Sequence, residues 1–270
     1  MTATPDVSNR SIAELISLSG RTAVVTGGAA GIGLGIAHRF AEAGARVVIA
    51  DIASTAAAVA EVTERSGGEV HGVELDVTDG ASIVRCAEGV LRNFGGADIW
   101  VNNAGIYPSV GVLDMTDAQW DAVLDVNLRG AFIGAREAAR RMVDSGRGGV
   151  IINMASIAAF RAGGPGIAHY VSSKHALAGL TKSLALELGP LGVRVLAIAP
   201  AMVETPGMDA GAQALRDAGN ADAFDSFVAT LPLRRFGKPD DVARVALFCA
   251  SDLAAFMTGT TVVVDAGYLA

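Results

Sequence analysis

Residues 22–33 read Thr-Ala-Val-Val-Thr-Gly-Gly-Ala-Ala-Gly-Ile-Gly, a short apolar run that leads into a glycine-rich turn. The run Thr22 to Thr26 predicts a strand, and the residues after Gly31 predict a helix. A helix N-terminus behind such a turn binds anions, because free main-chain N–H groups and the helix dipole both favour negative charge. This junction therefore predicts a phosphate site of a nucleotide, although the plain G-x-G-x-x-G spacing is absent and would place its third glycine at Ile36.

The same alternation of short β-branched runs and longer Ala-rich stretches continues along the whole chain. Several runs are apolar without alternation, as a parallel strand covered on both faces requires. The predicted strands are 22–26, 47–50, 70–75, 99–101, 150–154, 193–199 and 261–264. The predicted helices are 32–43, 54–66, 79–93, 117–143, 169–188 and 239–250. Connections of this length predict right-handed βαβ units, and so an α/β protein with a doubly wound parallel sheet.

The domain organisation follows from the same rhythm, since no repeat or long linker divides the chain. We predict an N-terminal extension over residues 1–19 and one catalytic domain over 20–270. Residues 200–239 interrupt the alternation with prolines and glycines after the sixth predicted strand. Because ligands bind beyond the carboxyl ends of parallel strands, this segment is predicted to be a substrate-binding loop or lid. The alternative is a surface insertion without a role in binding.

Composition and charge exclude several classes of protein. Of 270 residues, 51% are hydrophobic and 18% charged, so the chain has enough apolar surface to fold. No apolar run approaches the roughly 18 residues that a membrane-spanning helix needs. A net charge of -7 argues against a nucleic-acid partner. The two cysteines, Cys86 and Cys249, form neither a disulfide framework nor a metal pattern, which favours a reducing compartment, the cytoplasm, and no metal site.

Two acidic residues follow predicted strands and face the expected nucleotide. Asp51 ends the second strand, eighteen residues after Gly33, where a carboxylate accepts hydrogen bonds from an adenosine ribose. Such a carboxylate repels a 2′-phosphate, and residues 28–32 contain no Arg or Lys to attract one, so NAD is favoured over NADP. Asp76 follows the third strand, where it either meets the adenine edge or caps the next turn.

A second group of side chains suits proton transfer. Tyr170 and Lys174 are spaced i, i+4 on a predicted helix, and so they project from one face. A phenol has an ordinary pKa of about 10, and a neighbouring ammonium lowers it by stabilising the phenolate. Ser156 follows the fifth predicted strand, and its hydroxyl is suited to orienting a substrate oxygen. These three residues predict a site that moves a proton to or from an oxygen.

The glycine-rich turn and the proton-transfer residues belong to a larger set of short motifs. These are Thr26-Gly27-x-x-x-Gly31-x-Gly33, Asn102-Asn103-Ala104-Gly105, Asn127, Ser156 and Tyr170-x-x-x-Lys174. In order and spacing, the set resembles the short-chain dehydrogenase/reductase family over residues 20 to 268. The resemblance implies a Rossmann-type sheet of seven strands and nicotinamide-dependent hydride transfer. It also implies a homotetramer, since helices 117–143 and 169–188 resemble those that pair across subunits in the family.

The resemblance implies a role for each matching residue. Tyr170 is the acid/base, Ser156 holds the substrate oxygen, and Lys174 binds the nicotinamide ribose while lowering the tyrosine pKa. Asn127 holds a water that links Lys174 to solvent, and Asn102 to Gly105 line the adenosine side of the cleft. The implied NAD-binding residues are Gly27, Gly31, Ile32, Gly33, Asp51, Asp76, Val77, Asn103, Ala104, Gly105, Tyr170, Lys174, Pro200, Val203 and Thr205.

The segment after the sixth strand matches the family less closely. Pro200-Ala201-Met202-Val203-Glu204-Thr205 resembles the family's Pro-Gly-x-Val-x-Thr, with Ala201 in place of the usual glycine. The resemblance implies that the Val203 main chain and the Thr205 hydroxyl contact the nicotinamide carboxamide. Apolar candidates for the substrate pocket surround this segment and the catalytic helix. They are Tyr107, Ala158, Phe160, Met202, Met208, Phe224 and Phe227.

These inferences favour an oxidoreductase that transfers a hydride between NAD(H) and a secondary alcohol or ketone. An apolar pocket favours a cyclic or aliphatic substrate over a polyol. One alternative is a 3-oxoacyl thioester reductase, against which Asp51 counts because that activity usually goes with NADPH. Another is a nucleotide-binding regulator without chemistry. His169 is interpreted as a solvated residue at a helix start, with contact to the cleft beside Tyr170 as the alternative. The arginines at 136, 140, 141 and 147 are interpreted as a solvated helix face rather than a nucleic-acid site, because the overall charge is negative.

Overall fold

Strand β1, Thr22–Thr26, lies inside a parallel sheet, and the other elements are arranged around it. The computed structural model of the protein describes residues 6–208 and 228–270. Within these ranges the sheet has seven strands in the order β3-β2-β1-β4-β5-β6-β7, all parallel to their neighbours. The other strands are Arg46–Asp51 (β2), Val70–Glu74 (β3), Ile99–Asn102 (β4), Gly149–Met154 (β5), Val193–Pro200 (β6) and Thr261–Val264 (β7). The predicted doubly wound sheet is confirmed.

The helices connect these strands in the predicted order. They are Ile12–Ile16 (α1), Gly31–Glu42 (α2), Ala56–Ser66 (α3), Gly80–Phe94 (α4), Asp117–Leu124 (α5), Ala131–Asp144 (α6), Ala168–Leu188 (α7) and Pro239–Ala250 (α8). The stretch predicted as a helix over 117–143 is helical throughout, but it is not one regular α-helix, because a π-helical segment, Asp125–Gly130, lies between α5 and α6. Such segments often mark functional sites, and this one carries Asn127.

Both faces of the sheet are covered at its centre, which explains why the central strands lack a polar face. All five residues of β1 are buried. Ala23 and Val25 point into a core that α2, α3 and α8 complete. Val24 points the other way, into a core formed with α4, α6 and α7. Because side chains alternate along a strand, two apolar layers require an uninterrupted apolar run.

Two predicted segments, the N-terminal extension and the lid, are only partly covered by the described residues. Leu18 falls in the predicted extension, but it is fully buried and its N–H donates to the Ala43 carbonyl at 2.8 Å. Phe224, Phe227 and the middle of the predicted lid lie outside the described residues.

No helix in the described part of the chain is both long and apolar enough to cross a membrane. The described residues also contain no cluster of His, Cys, Asp or Glu suited to a metal ion.

Candidate active site

The carboxyl ends of β1 and β4 mark the point where the strand order reverses, and the glycine-rich turn lies there. Open α/β sheets bind their ligands at this position. At Gly33, a Cβ would overlap the Gly27 carbonyl oxygen and lie 2.6 Å from Asn103 Nδ2. At Gly27, a Cβ would lie 2.8 Å from the Ala104 Cα. The glycines therefore allow the turn to pack directly against the loop that follows β4.

Asn103 and Thr26 join the glycine-rich turn to that loop. The Asn103 side-chain amide donates to the carbonyls of Thr26 and Gly27, each at 2.9 Å. The Thr26 hydroxyl accepts the N–H groups of Asn103 and Ala104 at 3.0 and 3.1 Å. Thr26 is absent from the predicted cofactor residues, although its position directly before Gly27 could have indicated this bracing role. These bonds hold the glycine-rich turn against the loop after β4, next to the predicted phosphate site.

The two acidic residues behave differently. Asp51 accepts the N–H of Ala29 at 3.0 Å and of Ala53 at 2.9 Å, so its carboxylate is held against the glycine-rich turn. A carboxylate has about four acceptor positions, which leaves Asp51 the capacity to bind ribose hydroxyls. Asp76 instead accepts the N–H and the hydroxyl of Thr78 at 2.8 and 2.7 Å, and these bonds lower its pKa. Asp76 therefore caps this turn, and its contact with an adenine stays a prediction.

The segment after β6 approaches the turn from the other side. Val203 pairs with Gly237 in an isolated parallel bridge, next to the end of β6 at Pro200. A Cβ at Gly31 would lie 3.3 Å from the Thr205 Cγ2, so residue 205 faces the start of α2. Two residues predicted to bind the cofactor, Gly31 and Thr205, are thus brought together. Val77 lies farther along, where its carbonyl would be 2.7 Å from a Cβ at Gly130.

Ser156 and Tyr170 meet at the catalytic side of the cleft. Ser156 follows β5, and its Oγ accepts the N–H of Ala158 at 3.1 Å, which orients the side chain. Tyr170 lies in the first turn of α7. Burial raises the pKa of the Tyr170 phenol above its usual value, and a hydrogen bond with Ser156 opposes that increase. This direction is opposite to the lowering expected from Lys174.

Lys174 occupies a buried position one turn beyond Tyr170. Its Nζ donates to the Met154 carbonyl at 2.8 Å and lies 5.5 Å from the centroid of the Tyr170 ring. Burial lowers the pKa of Lys174 to about 8. A Cβ at Gly105 would lie 3.7 Å from Nζ, and Gly105 itself is exposed. The glycine therefore leaves the ammonium within reach of a group bound in the cleft.

Asn127 holds the backbone beside Lys174. Its Oδ1 accepts the N–H of Ile106 at 2.8 Å, and its Nδ2 donates to the Ile106 carbonyl at 2.9 Å. Nδ2 also donates to Ser173 Oγ at 3.2 Å, and that hydroxyl donates to the Tyr170 carbonyl at 2.7 Å. The side chain of Asn127 therefore positions the main chain, and its predicted hold on a water stays a prediction. The sequence analysis missed Ser173, which the i, i+3 spacing from Tyr170 could have indicated.

The structural interpretation of His169 is wrong. The residue is fully buried in the first turn of α7, where its Nδ1 accepts the N–H of Tyr170 at 2.8 Å and its Nε2 has no hydrogen-bond partner among the described residues. The predicted solvated arginine face is confirmed for Arg136, Arg140 and Arg147, whose side chains are 41%, 62% and 51% exposed, whereas Arg141 is only 15% exposed. The first two and Arg141 pair with Glu137, whose side chain is 5% exposed.

The residues present fit a dinucleotide. The glycine-rich turn offers main-chain N–H groups to a phosphate. A side chain at position 31 would narrow this site, because its Cβ would lie 3.3 Å from the Thr205 Cγ2. Asp51 retains acceptor capacity for a ribose. Among the described residues, Met154 is the one hydrogen-bond acceptor of the Lys174 ammonium, which has three N–H donors. Two donors thus remain for the hydroxyls of a second ribose.

Comparison with known proteins identifies related sequences over most of the chain. Residues 27–269 match a family model described as enoyl-(acyl carrier protein) reductase. The chain is 37% identical to 3beta-hydroxysteroid dehydrogenase 2 of Eggerthella lenta, with 94% of this chain and 96% of that protein covered. It is 39% identical to D-threitol dehydrogenase of Mycolicibacterium smegmatis, with 93% and 94% covered. It is 37% identical to a 3-oxoacyl-(acyl-carrier-protein) reductase of Aquifex aeolicus, with 93% and 98% covered.

Solved structures share the fold. The crystal structure of levodione reductase has a TM-score of 0.88 at 32% identity, with 92% of this chain and 97% of that chain covered. A putative 2-deoxy-D-gluconate 3-dehydrogenase from Agrobacterium tumefaciens, solved with bound NADP, has a TM-score of 0.85 at 34% identity. The alignment covers 94% of this chain and 98% of that one. Both likenesses extend over more than nine tenths of this chain.

Proposed function

The chain belongs to the short-chain dehydrogenase/reductase family, and on that premise we propose that it transfers a hydride between NAD(H) and a secondary alcohol or ketone. The observation that carries the proposal is the meeting of Ser156, Tyr170 and Lys174 beside the glycine-rich turn. A hydroxyl, a phenol and an ammonium at one cleft are the groups that move a proton at a substrate oxygen.

The roles of these side chains follow from their positions. When bound, the nicotinamide accepts or supplies the hydride. Ser156 donates to or accepts from the substrate oxygen and holds it next to the Tyr170 hydroxyl. In ketone reduction Tyr170 donates its proton to that oxygen, and in alcohol oxidation the phenolate removes it. Lys174 places a positive charge 5.5 Å from the Tyr170 ring, and the two N–H donors that Met154 leaves unused are available to the hydroxyls of a bound ribose.

Asp51 supports NAD as the cofactor. Its carboxylate is held at the end of β2 by two main-chain N–H groups. A 2′-phosphate at the adjacent ribose would meet this negative charge, and residues 28–32 carry no cation to offset it. NADP is the alternative, since a structural relative was solved with it bound.

Apolar secondary alcohols are the proposed substrates. Tyr107 and Phe160 are half exposed near the catalytic tyrosine and serine, so they offer apolar surface to a ligand. One relative is named for a hydroxysteroid, an alcohol on an apolar ring system. Another is named for a polyol and a third for a 3-oxoacyl thioester, and these define the competing substrate classes.

A substrate panel with both cofactors tests the proposal. Absorbance of reduced nicotinamide is followed with cyclic alcohols, open-chain alcohols, polyols and a 3-oxoacyl thioester. We expect turnover of cyclic or aliphatic alcohols with NAD. Faster reduction of the thioester with NADPH would establish the reductase alternative. Binding of NAD without turnover of any panel member would establish the regulator alternative.

Assembly and location belong to the same proposal. We propose a homotetramer, because the family resemblance assigns subunit pairing to the region of α5, α6 and α7. Sedimentation at working concentration tests this, and a monomer would contradict it. A cytoplasmic location is proposed from the two unpaired, buried cysteines, Cys86 and Cys249.

A further inference from the structure

Tyr107 stands beside the catalytic tyrosine without a part in the proton transfer described above. Its ring centroid lies 6.1 Å from that of Tyr170, and the planes meet at 64°, an edge-to-face arrangement. Tyr107 is 50% exposed, and Ile106 before it is 38% exposed. An aromatic ring that packs on the proton-transfer residue and is half open to solvent presents apolar surface where a substrate must lie.

The loop that carries Tyr107 is braced at both ends. Asn127 binds the N–H and the carbonyl of Ile106, directly before Tyr107. Three residues later, the Val110 N–H donates to the Gly166 carbonyl at 2.8 Å, which ties the loop to the segment before α7. Because both ends are held, the main chain that carries Tyr107 is fixed relative to α7.

The hydroxyl end of Tyr107 meets the segment after β6. A Cβ built on Gly207 would overlap the Tyr107 hydroxyl oxygen and lie 3.1 Å from the ring carbon that bears it. Gly207 is the second residue after Thr205, which faces the glycine-rich turn. Tyr107 therefore spans from Tyr170 to the segment predicted to cover the substrate.

From this geometry we infer that Tyr107 is a specificity-determining residue, a fixed aromatic wall that selects ring-shaped apolar alcohols over open-chain ones. The inference rests on the proposed function and deepens it by assigning the substrate preference to one side chain. A conformationally restricted ring gains contact along the exposed face of Tyr107, whereas an open chain must lose conformational freedom to gain the same contact. Because Gly207 has no side chain, the Tyr107 hydroxyl can lie against residue 207, and the ring can take this position.

Substitutions of Tyr107 test whether its ring determines the preference for ring alcohols. We compare kcat and KM of the parent, Tyr107→Phe and Tyr107→Ala with NAD for one ring alcohol and one open-chain secondary alcohol of the panel. Cyclohexanol and 2-butanol are the first pair. Leu113→Ala, at a 96% exposed position of the following turn, is the matched control and should equal the parent.

In Tyr107→Ala, we expect kcat/KM for the ring alcohol to fall about tenfold relative to the open-chain alcohol, mainly through KM. Tyr107→Phe keeps the ring and should keep the parent's preference. An unchanged preference in Tyr107→Ala overturns the inference, and so does a Tyr107→Phe variant that behaves like Tyr107→Ala. A parent that turns over open-chain but no ring alcohols also overturns it. A parent that turns over no alcohol with either cofactor overturns the proposed function itself, which separates the two failures.

A second measurement tests the contact with Gly207. Gly207→Ala adds a methyl group against the Tyr107 hydroxyl, so KM for the ring alcohol should rise several-fold in the parent background. In Tyr107→Phe the hydroxyl is gone, and the same substitution should cost less. Such non-additivity is the signature of direct contact. Equal effects in both backgrounds would overturn the role assigned to Gly207.

Discussion

Lys174 Nζ donates a hydrogen bond to the Met154 carbonyl, 2.8 Å away at the end of β5. This bond joins α7 to the strand that leads into Ser156, and it thereby sets Tyr170 opposite Ser156. It also keeps the ammonium fully inside the protein, where burial lowers its pKa to about 8. The same contact therefore aligns the residues proposed to transfer a proton. It also holds a desolvated positive charge beneath the cleft.

Lys174→Met should stabilise the fold at pH 7 while abolishing activity. The pKa falls from 10.5 to about 8 on folding, which corresponds to a cost of about 3 kcal/mol while both states are charged. Between pH 8 and 10.5 the unfolded state binds the extra proton, so the parent gains stability with rising pH. The difference between variant and parent should narrow across that window in urea unfolding. Lys182→Met, exposed on the same helix, is the control, and a difference independent of pH would contradict the burial argument.

Tyr170→Phe should lower kcat by about a thousandfold or more, because the substrate oxygen loses its proton donor and acceptor. The ring and its contact with Tyr107 remain, so NAD affinity should change little. Steady-state kinetics and calorimetric titration with NAD measure the two effects. Turnover close to that of the parent would remove Tyr170 from the mechanism.

Between pH 6 and 10, alcohol oxidation should accelerate with rising pH, and ketone reduction should stay nearly level. Burial raises the pKa of Tyr170, so the phenolate needed for oxidation forms only at alkaline pH, whereas the phenol needed for reduction prevails at neutral pH. The values of kcat/KM in both directions between pH 6 and 10 test this. An oxidation rate that is level from pH 6 to 9 would show that another group is the base.

Asp51→Asn should shift the cofactor preference toward NADP. The amide oxygen retains an acceptor for the Ala29 or Ala53 N–H, while the charge that repels a 2′-phosphate is lost. We expect the ratio of kcat/KM for NAD to that for NADP to fall about tenfold. Asp51→Ala serves as the comparison, since it also loses the hydrogen bonds. A parent that prefers NADP would contradict the assignment of the cofactor.

Gly33→Ala should weaken both the fold and cofactor binding, because the added Cβ overlaps the Gly27 carbonyl oxygen. The turn must then move away from the loop after β4, and NAD affinity should fall more than tenfold. Gly179→Ala is the matched control: it lies in α7 with no atom within 4 Å of an added Cβ. It should stabilise the protein by up to about 1 kcal/mol. Thermal unfolding and NAD titration of both variants provide the comparison.

The sequence predicts the elements of the site better than their contacts. The run Thr22 to Thr26 and the glycines after it predict β1 and the start of α2, because strand and turn preferences act over a few residues. The π-helical segment that carries Asn127 has no such local signal, since the residues 117–143 have one continuous helical pattern. His169 is polar, and polarity alone predicts exposure; the packing of α7 nevertheless buries the ring, with Nδ1 bonded to the Tyr170 N–H and Nε2 without a partner among the described residues.

By itself, the sequence determines a parallel α/β sheet, the glycine-rich turn at its centre and the presence of Tyr170, Lys174 and Ser156. These follow from apolar runs, turn residues and spacing within single elements. Only the tertiary structure decides that Lys174 reaches the Met154 carbonyl and that Tyr107 spans from Tyr170 toward Gly207. The physical reason is that these pairs join residues from 20 to 100 positions apart, and their distances depend on how the helices pack on the sheet.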